Sequence, residues 1–235
     1  MNGAGDERNS SDRTWPLVLR ASIVAGIFTL AVFIGYRLLR NDTLPVFQPA
    51  QLDQRLVDPA VLKEQGTHHI HDFDLIDQTG NHLTLDDVRG HIIVADFFFT
   101  TCTSICPKMT GQMTRVQRSF KDDERVVLLS HSVTPEMDSV PVLRSYADRF
   151  QADPGKWHFL TGDRKQIYDL ARRSYFAAVN EGDGGPDDFV HTENFVLVDP
   201  LLRIRGFYDG TSTADVDRLI DDISRLERES NGNAP

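Results

Sequence analysis

Apolar residues fall along this chain in three kinds of run, and each predicts a different element. The first is a long block at 15–39, uncharged over the 16 residues 21–36 and flanked there by Arg20 and Arg37. At ~1.5 Å rise per residue the block reaches across a ~30 Å hydrocarbon core if both arginines snorkel, with Trp15 and Tyr36 at the interfaces. It predicts a single transmembrane helix. No small-x-small cleavage pattern occurs at 36–41, so the segment reads as an uncleaved anchor rather than a signal peptide. The second kind is the short, near-continuous apolar run at 91–99 and 126–133, which predicts strands buried on both faces. Shorter runs at 157–160, 194–198 and 203–208 predict three further strands. The third kind recurs every three to four positions: Ile105, Met109, Met113, Val116 and Phe120, or Val216, Leu219, Ile220, Ile223 and Leu226. Such stripes predict amphipathic helices, as do the patterns at 138–150 and 163–176. Residues 70–75 and 82–85 flank Gly80 as the arms of a β-hairpin.

In order, these elements give a hairpin, strand–helix–strand–helix, then an antiparallel pair joined through Asp199 and Pro200, then a helix. That is the layout of a thioredoxin-like α/β fold. The long connection between Trp157 and Asn194 adds an inserted helix and a Gly/Asp-rich loop at 180–188. The expected organisation is a short tail at 1–14, the anchor at 15–39, a tether at 40–66 containing Pro45, Pro49 and Pro59, and one domain at 67–230.

Charge narrows the range of functions. The formal net charge is -10; residues 1–40 hold five arginines against three acids, so they carry +2 and the remainder -12. An acidic domain argues against nucleic acid, which selects basic faces, and fits a cation or a basic partner. No G-x-G-x-x-G phosphate loop occurs.

The chemistry concentrates at Cys102 and Cys106, the two cysteines of the chain, placed where the strand 91–99 gives way to a helix. Pro107 suits a first helical turn, so Cys106 is expected near a helix N-terminus, where backbone N–H groups and the dipole favour a thiolate. Four residues apart, the sulfurs can converge on a soft metal ion or close a disulfide. Two sulfurs make an incomplete metal site. His191, at the end of the loop that enters the strand 194–198, is the best-placed candidate for a third ligand or else a surface loop histidine; as a ligand it would give an S₂N set, which suits copper better than closed tetrahedral zinc. Other histidines draw attention. His68, His69 and His71 could form a secondary metal site or lie solvated near a sheet edge. His131 could approach the thiols or be a hydrogen-bonded strand-end residue. Met109 and Met113 share a stripe with Val116 and Phe120, which favours core packing over metal ligation.

Several segments together resemble the Sco/SenC family of membrane-tethered copper chaperones for cytochrome c oxidase assembly. They are the run from Asp96 to Met109 with its C-x-x-x-C-P, then Pro135-Glu136-Met137-Asp138, then Phe159-Leu160-Thr161-Gly162. The last is His191 followed by Phe195-Val196-Leu197-Val198-Asp199-Pro200. The resemblance implies that Cys102, Cys106 and His191 bind one copper, as Cu(I), Cu(II) or both. It implies delivery to the oxidase subunit carrying the CuA site, and it is matched by the N-terminal anchor. Placement at a bacterial inner membrane with the domain on the periplasmic side is favoured over a mitochondrial one, because Asp6, Glu7 and Asp12 do not suit an acid-poor presequence. The chain departs from the family in places: Thr134 stands where an aspartate is usual, with Asp138-Ser139 in place of Asp-Thr. Leu201-Leu202 stands where a glycine is common, a change expected to be neutral.

Three functions remain open on the residues. One is a copper metallochaperone, which is not an enzyme. Another is a thiol-disulfide oxidoreductase that uses the same pair on a copper-site client. The third is a module with a merely structural disulfide, disfavoured because so short a loop gains little from closure. Either of the first two needs a thiol reductant, since an oxidising compartment drives the pair to the disulfide.

Overall fold

A computed structural model of the chain describes residues 15–39, 43–53, 57–63, 66–177 and 192–232, which divide between two units, Met1–Asp42 and Thr43–Pro235. The first unit holds one helix, α1 (Trp15–Leu39). Ile23, Val24, Ile27, Phe28 and Leu30 are all exposed on it, positions that a 3.6-residue turn spreads around the helix circumference. Among the described residues, no helix is long and apolar enough to cross a membrane. The spanning helix expected at 15–39 is thus corrected to a helix with a short apolar stretch. Between Arg20 and Arg37 lie 16 uncharged residues, about 24 Å of helix against a ~30 Å core.

In the second unit, β1 (Asp74–Ile76) and β2 (His82–Thr84) form the expected hairpin in shorter form, with Leu75 opposite Leu83 and Gly80 turning the chain at φ +89. A short helix, α2 (Leu85–Val88), follows. Then come β3 (Ile92–Phe98), α3 (Ile105–Ser119), β4 (Val126–Ser132), α4 (Val140–Arg149) and β5 (Trp157–Leu160). The insertion begins with α5 (Arg164–Asp169), continued by a π-helical turn, Leu170–Ser174. The predicted loop at 180–188 lies outside the described residues. The chain closes with β6 (Asn194–Val198), β7 (Ile204–Asp209) and α6 (Thr213–Gly232).

The five-stranded sheet runs β5-β4-β3-β6-β7. β3, β4 and β5 are parallel, while β6 and β7 add antiparallel strands on the other side. This is the predicted thioredoxin-like order. Strand alternation splits the core in two. Val94 and Phe98 pack with Met109, Met113 and Val116 of α3 and with Leu219 and Ile223 of α6. Ile93, Ala95 and Phe97 pack on the other face with Leu75, Tyr168 and Tyr175. Both methionines are fully buried, as core residues.

Part of the stretch expected as a tether is built into this unit. Leu44, Val57 and Val61 are buried, and the Phe47 N–H donates to the Ile204 carbonyl (2.9 Å). Arg205 reaches back to the carbonyls of Leu44 and Pro45 while pairing with Asp199 and Glu229. Leu202 is not a neutral replacement for glycine either. It holds φ +64, a conformation that favours glycine, and buries its side chain in the core.

Candidate metal centre

β3 points its carboxyl end at the cysteine turn, and β6 points its beginning there. Ala95 lies opposite Val196 in an antiparallel register, so Asn194 sits towards the Phe98 end of β3. Open α/β sheets place their chemistry outside these strand ends. From Phe98 the chain turns through Thr100, Cys102 and Ser104, and α3 starts at Ile105. The Cys102 N–H donates to the Phe99 carbonyl (3.3 Å), and the Cys106 N–H donates to the Cys102 sulfur (3.3 Å). Both thiols are free, Cys102 half-buried and Cys106 only 5% exposed.

These surroundings separate the two thiols. Burial works against a thiolate at Cys102. Even so, the N–H groups of Cys106, Ser104 and Ile105, with the Cys106 thiol, outweigh it and bring the Cys102 pKa down to about 7. Burial pushes Cys106 the other way, to about 12, assisted by the neighbouring Cys102 and by the charge of Asp96. The sequence placed the helix-terminal advantage at Cys106; the correction is that Cys102 receives it. The free N–H groups at the start of α3 point back over the turn, and Cys106 is already inside the helix and the core. Alkylation at pH 8 should therefore modify Cys102 first, with a rate that rises with pH through about 7, while Cys106 lags until the protein is unfolded. Mass mapping of the labelled peptide checks this, and equal labelling would contradict it.

Two carboxylates, not assigned roles from the sequence, border the turn. Asp96 is buried in β3, where it accepts from the Ser130 hydroxyl (2.5 Å), itself bonded to the Trp157 indole (2.9 Å). Burial raises its pKa to about 7. The signal was legible: an aspartate in the middle of an otherwise apolar buried run. Asp138 is fully buried just ahead of α4 and accepts from Thr100, Ser132 and Thr134. It had been expected to open a helix at 138–150, but Ser139 is the cap and α4 begins at Val140.

His191 lies outside the described residues. Thr192, next in the chain, leads straight into β6 at the cysteine end of the sheet. His131 turns to the opposite face from the thiols. It stacks on Phe97 with centroids 4.8 Å apart, and its Nδ1 is 3.3 Å from the Asp96 carbonyl. Burial lowers its pKa to about 4, so it stays neutral. Alternation would put His69 and His71 on one strand face, but β1 starts only at Asp74. His68 is buried with Nε2 2.8 Å from the Ser174 carbonyl, and His69 is exposed. Among the described residues no group of three His, Cys, Asp or Glu side chains could hold a metal ion. What the site offers is a pair of sulfurs, one biased to thiolate, that can bind a soft ion incompletely or oxidise to a disulfide.

With the fold and the thiol turn in place, comparison with known proteins identifies the class. The SCO1/SenC family model matches residues 62–227, most of the chain, and the chain belongs to this family. It is 32% identical over 164 residues to the SCO1 protein homolog of Bacillus subtilis, covering 69% of this chain and 84% of that protein. Among solved structures, it is similar to BsSco, described as having a disulfide switch and as a member of the Sco family of cytochrome c oxidase assembly proteins. That match has TM-score 0.60 and 31% identity, covering 71% of this chain and 97% of the other. It is also similar to Arabidopsis thaliana ScoI with copper bound, at TM-score 0.55 and 28% identity, covering 68% and 98%.

Proposed function

We propose that the protein is a copper metallochaperone in which Cys102, Cys106 and His191 hold one copper ion as cargo for the CuA site of cytochrome c oxidase. The observation that carries this reading is the thiol turn. Two free sulfurs stand beside each other at the strand ends, one held towards thiolate by backbone N–H groups. Two thiolates are a soft donor pair, and an imidazole would complete a three-coordinate site that tolerates both copper states. His191 is proposed as that imidazole because the chain from Thr192 enters the sheet at the cysteine end. The copper-bound Arabidopsis thaliana relative supports the choice of metal.

A second reading rests on the separation of the two thiols. A thiolate-prone Cys102 beside a buried Cys106 is also how a disulfide reductase divides attack from resolution, and BsSco is described as having a disulfide switch. We further propose that α1 attaches the protein to the inner membrane, with the domain on the periplasmic side. The exposed apolar residues of α1, Ile23, Val24, Ile27, Phe28 and Leu30 among them, support attachment.

One experiment addresses these points together. Membranes carrying the full chain are washed with alkaline carbonate, reduced, loaded with Cu(I) and incubated with copper-free CuA domain. Retention through the wash and movement of copper to the CuA domain are expected. Loss in the wash would remove the anchoring reading. Reduction of the client's cysteines without copper transfer would replace the chaperone by the reductase.

A further inference from the structure

One buried carboxylate ties together two loops at the end of the sheet. Asp138 is 0% exposed. Its Oδ2 accepts from the Thr100 N–H (3.2 Å), the Ser132 hydroxyl (2.6 Å) and the Thr134 hydroxyl (3.0 Å). Its Oδ1 accepts from the Thr100 hydroxyl. Its own N–H donates to the Thr134 carbonyl (2.9 Å), closing the loop on itself. An ionised carboxylate is acceptor-only, with about four lone-pair sites. Here four donors converge on it, and all are neutral. Burying a carboxylate is costly, and an apolar residue would fill the space more cheaply. What the carboxylate adds is simultaneous acceptance from both loops.

The two loops are not equivalent. Ser132 ends β4 and Thr134 follows it, and this end is already fixed by the Val133 N–H donating to the Phe98 carbonyl (2.9 Å). Thr100 lies on the thiol turn, two residues before Cys102. It is held by both its N–H and its hydroxyl, so its backbone and its side-chain rotamer are set together.

We infer that Asp138 is the positioning residue of the thiol turn. Through Thr100 it fixes where the Cys102 sulfur stands relative to Cys106, and so how tightly the pair holds a soft metal ion. The metal part of this inference rests on the copper reading of the same site. The part about the turn does not.

The test uses the full chain as wild type, Asp138→Asn, Thr100→Val and Thr100→Ser. Asparagine offers one acceptor oxygen and turns an NH₂ group onto the converging donors. Valine removes only the Thr100 hydroxyl bond, while serine keeps it. Measured are amide exchange at Thr100 and Cys102, the reduction potential of the Cys102–Cys106 couple, and Cu(I) affinity by competition. Asp138→Asn and Thr100→Val should exchange faster at both amides, shift the potential and bind Cu(I) at least ten-fold more weakly. Thr100→Ser should match wild type. A merely structural aspartate would lower thermal stability and leave the potential and the serine rescue without pattern, which would overturn the inference. So would wild-type exchange, potential and affinity in Thr100→Val. If Asp138→Asn does not fold, Thr100→Val against Thr100→Ser decides, since residue 100 is only half-buried. If wild type binds no copper, the copper reading fails, and the exchange rates and the potential still decide for or against Asp138.

Discussion

Replacing His191 by alanine is expected to remove Cu(II) binding almost entirely while leaving weak Cu(I) binding. The reason is the donor set. Two thiolates are soft and satisfy Cu(I) in a low-coordinate geometry, whereas Cu(II) needs a nitrogen donor to be held against reduction or loss. The substitution keeps both sulfurs and the Cys106 N–H to Cys102 sulfur bond at the start of α3. The disulfide reduction potential should therefore move by about 30 mV or less, a scale of ~1.4 kcal/mol for two electrons. Competition titrations with both copper states, beside a redox titration of the metal-free protein, make the measurement. Unchanged binding of both states, with impaired thiol exchange on a client, would favour the reductase.

Most of the architecture was legible as hydrophobic period. The runs that became β3 and β4 are buried on both faces, so they carry no alternation and stand out as continuous blocks. The α3 stripe gave the helix and also the fate of Met109 and Met113, because the same 3.6-residue period that defines the helix points them into the core. What the period could not give was decided by tertiary contacts. Leu44 and Phe47 look like linker residues until Arg205, which donates to the Leu44 carbonyl, and Ile204, whose carbonyl accepts from the Phe47 N–H, are placed beside them. Residues 70–73 alternate like a strand but pair with none of the named strands; the Ile70 N–H instead donates to the Leu202 carbonyl (2.8 Å).

The site was legible in its residue types and not in its electrostatics. Cysteine spacing and the following proline announced a thiol pair at a helix start. Which thiol is the thiolate depends on burial: Cys106, in the first turn of α3, sits in the core while Cys102 stays at the rim of the turn. Asp138 was visible as a letter in a family-like string. Its role depends on Thr100, 38 residues earlier, and that long-range pairing has no local signature.

The second large effect concerns oxidation of the pair. Only free thiolates ligate, and metal binding releases the thiol protons. Closing Cys102 and Cys106 into a disulfide removes both sulfur donors at once, leaving His191 alone in the proposed set. A single imidazole does not retain copper against a competing chelator, so oxidation should abolish binding rather than weaken it. The free state of both cysteines and the thiolate bias at Cys102 make the reduced form ready to bind near neutral pH. Copper equivalents bound by the reduced and by the disulfide form of the full chain, measured side by side after removal of loosely held metal, test the central claim most directly. One copper per chain in the reduced form and none in the oxidised form is the predicted result; tight copper retained by the fully oxidised protein, or none taken up by the reduced one, would contradict it.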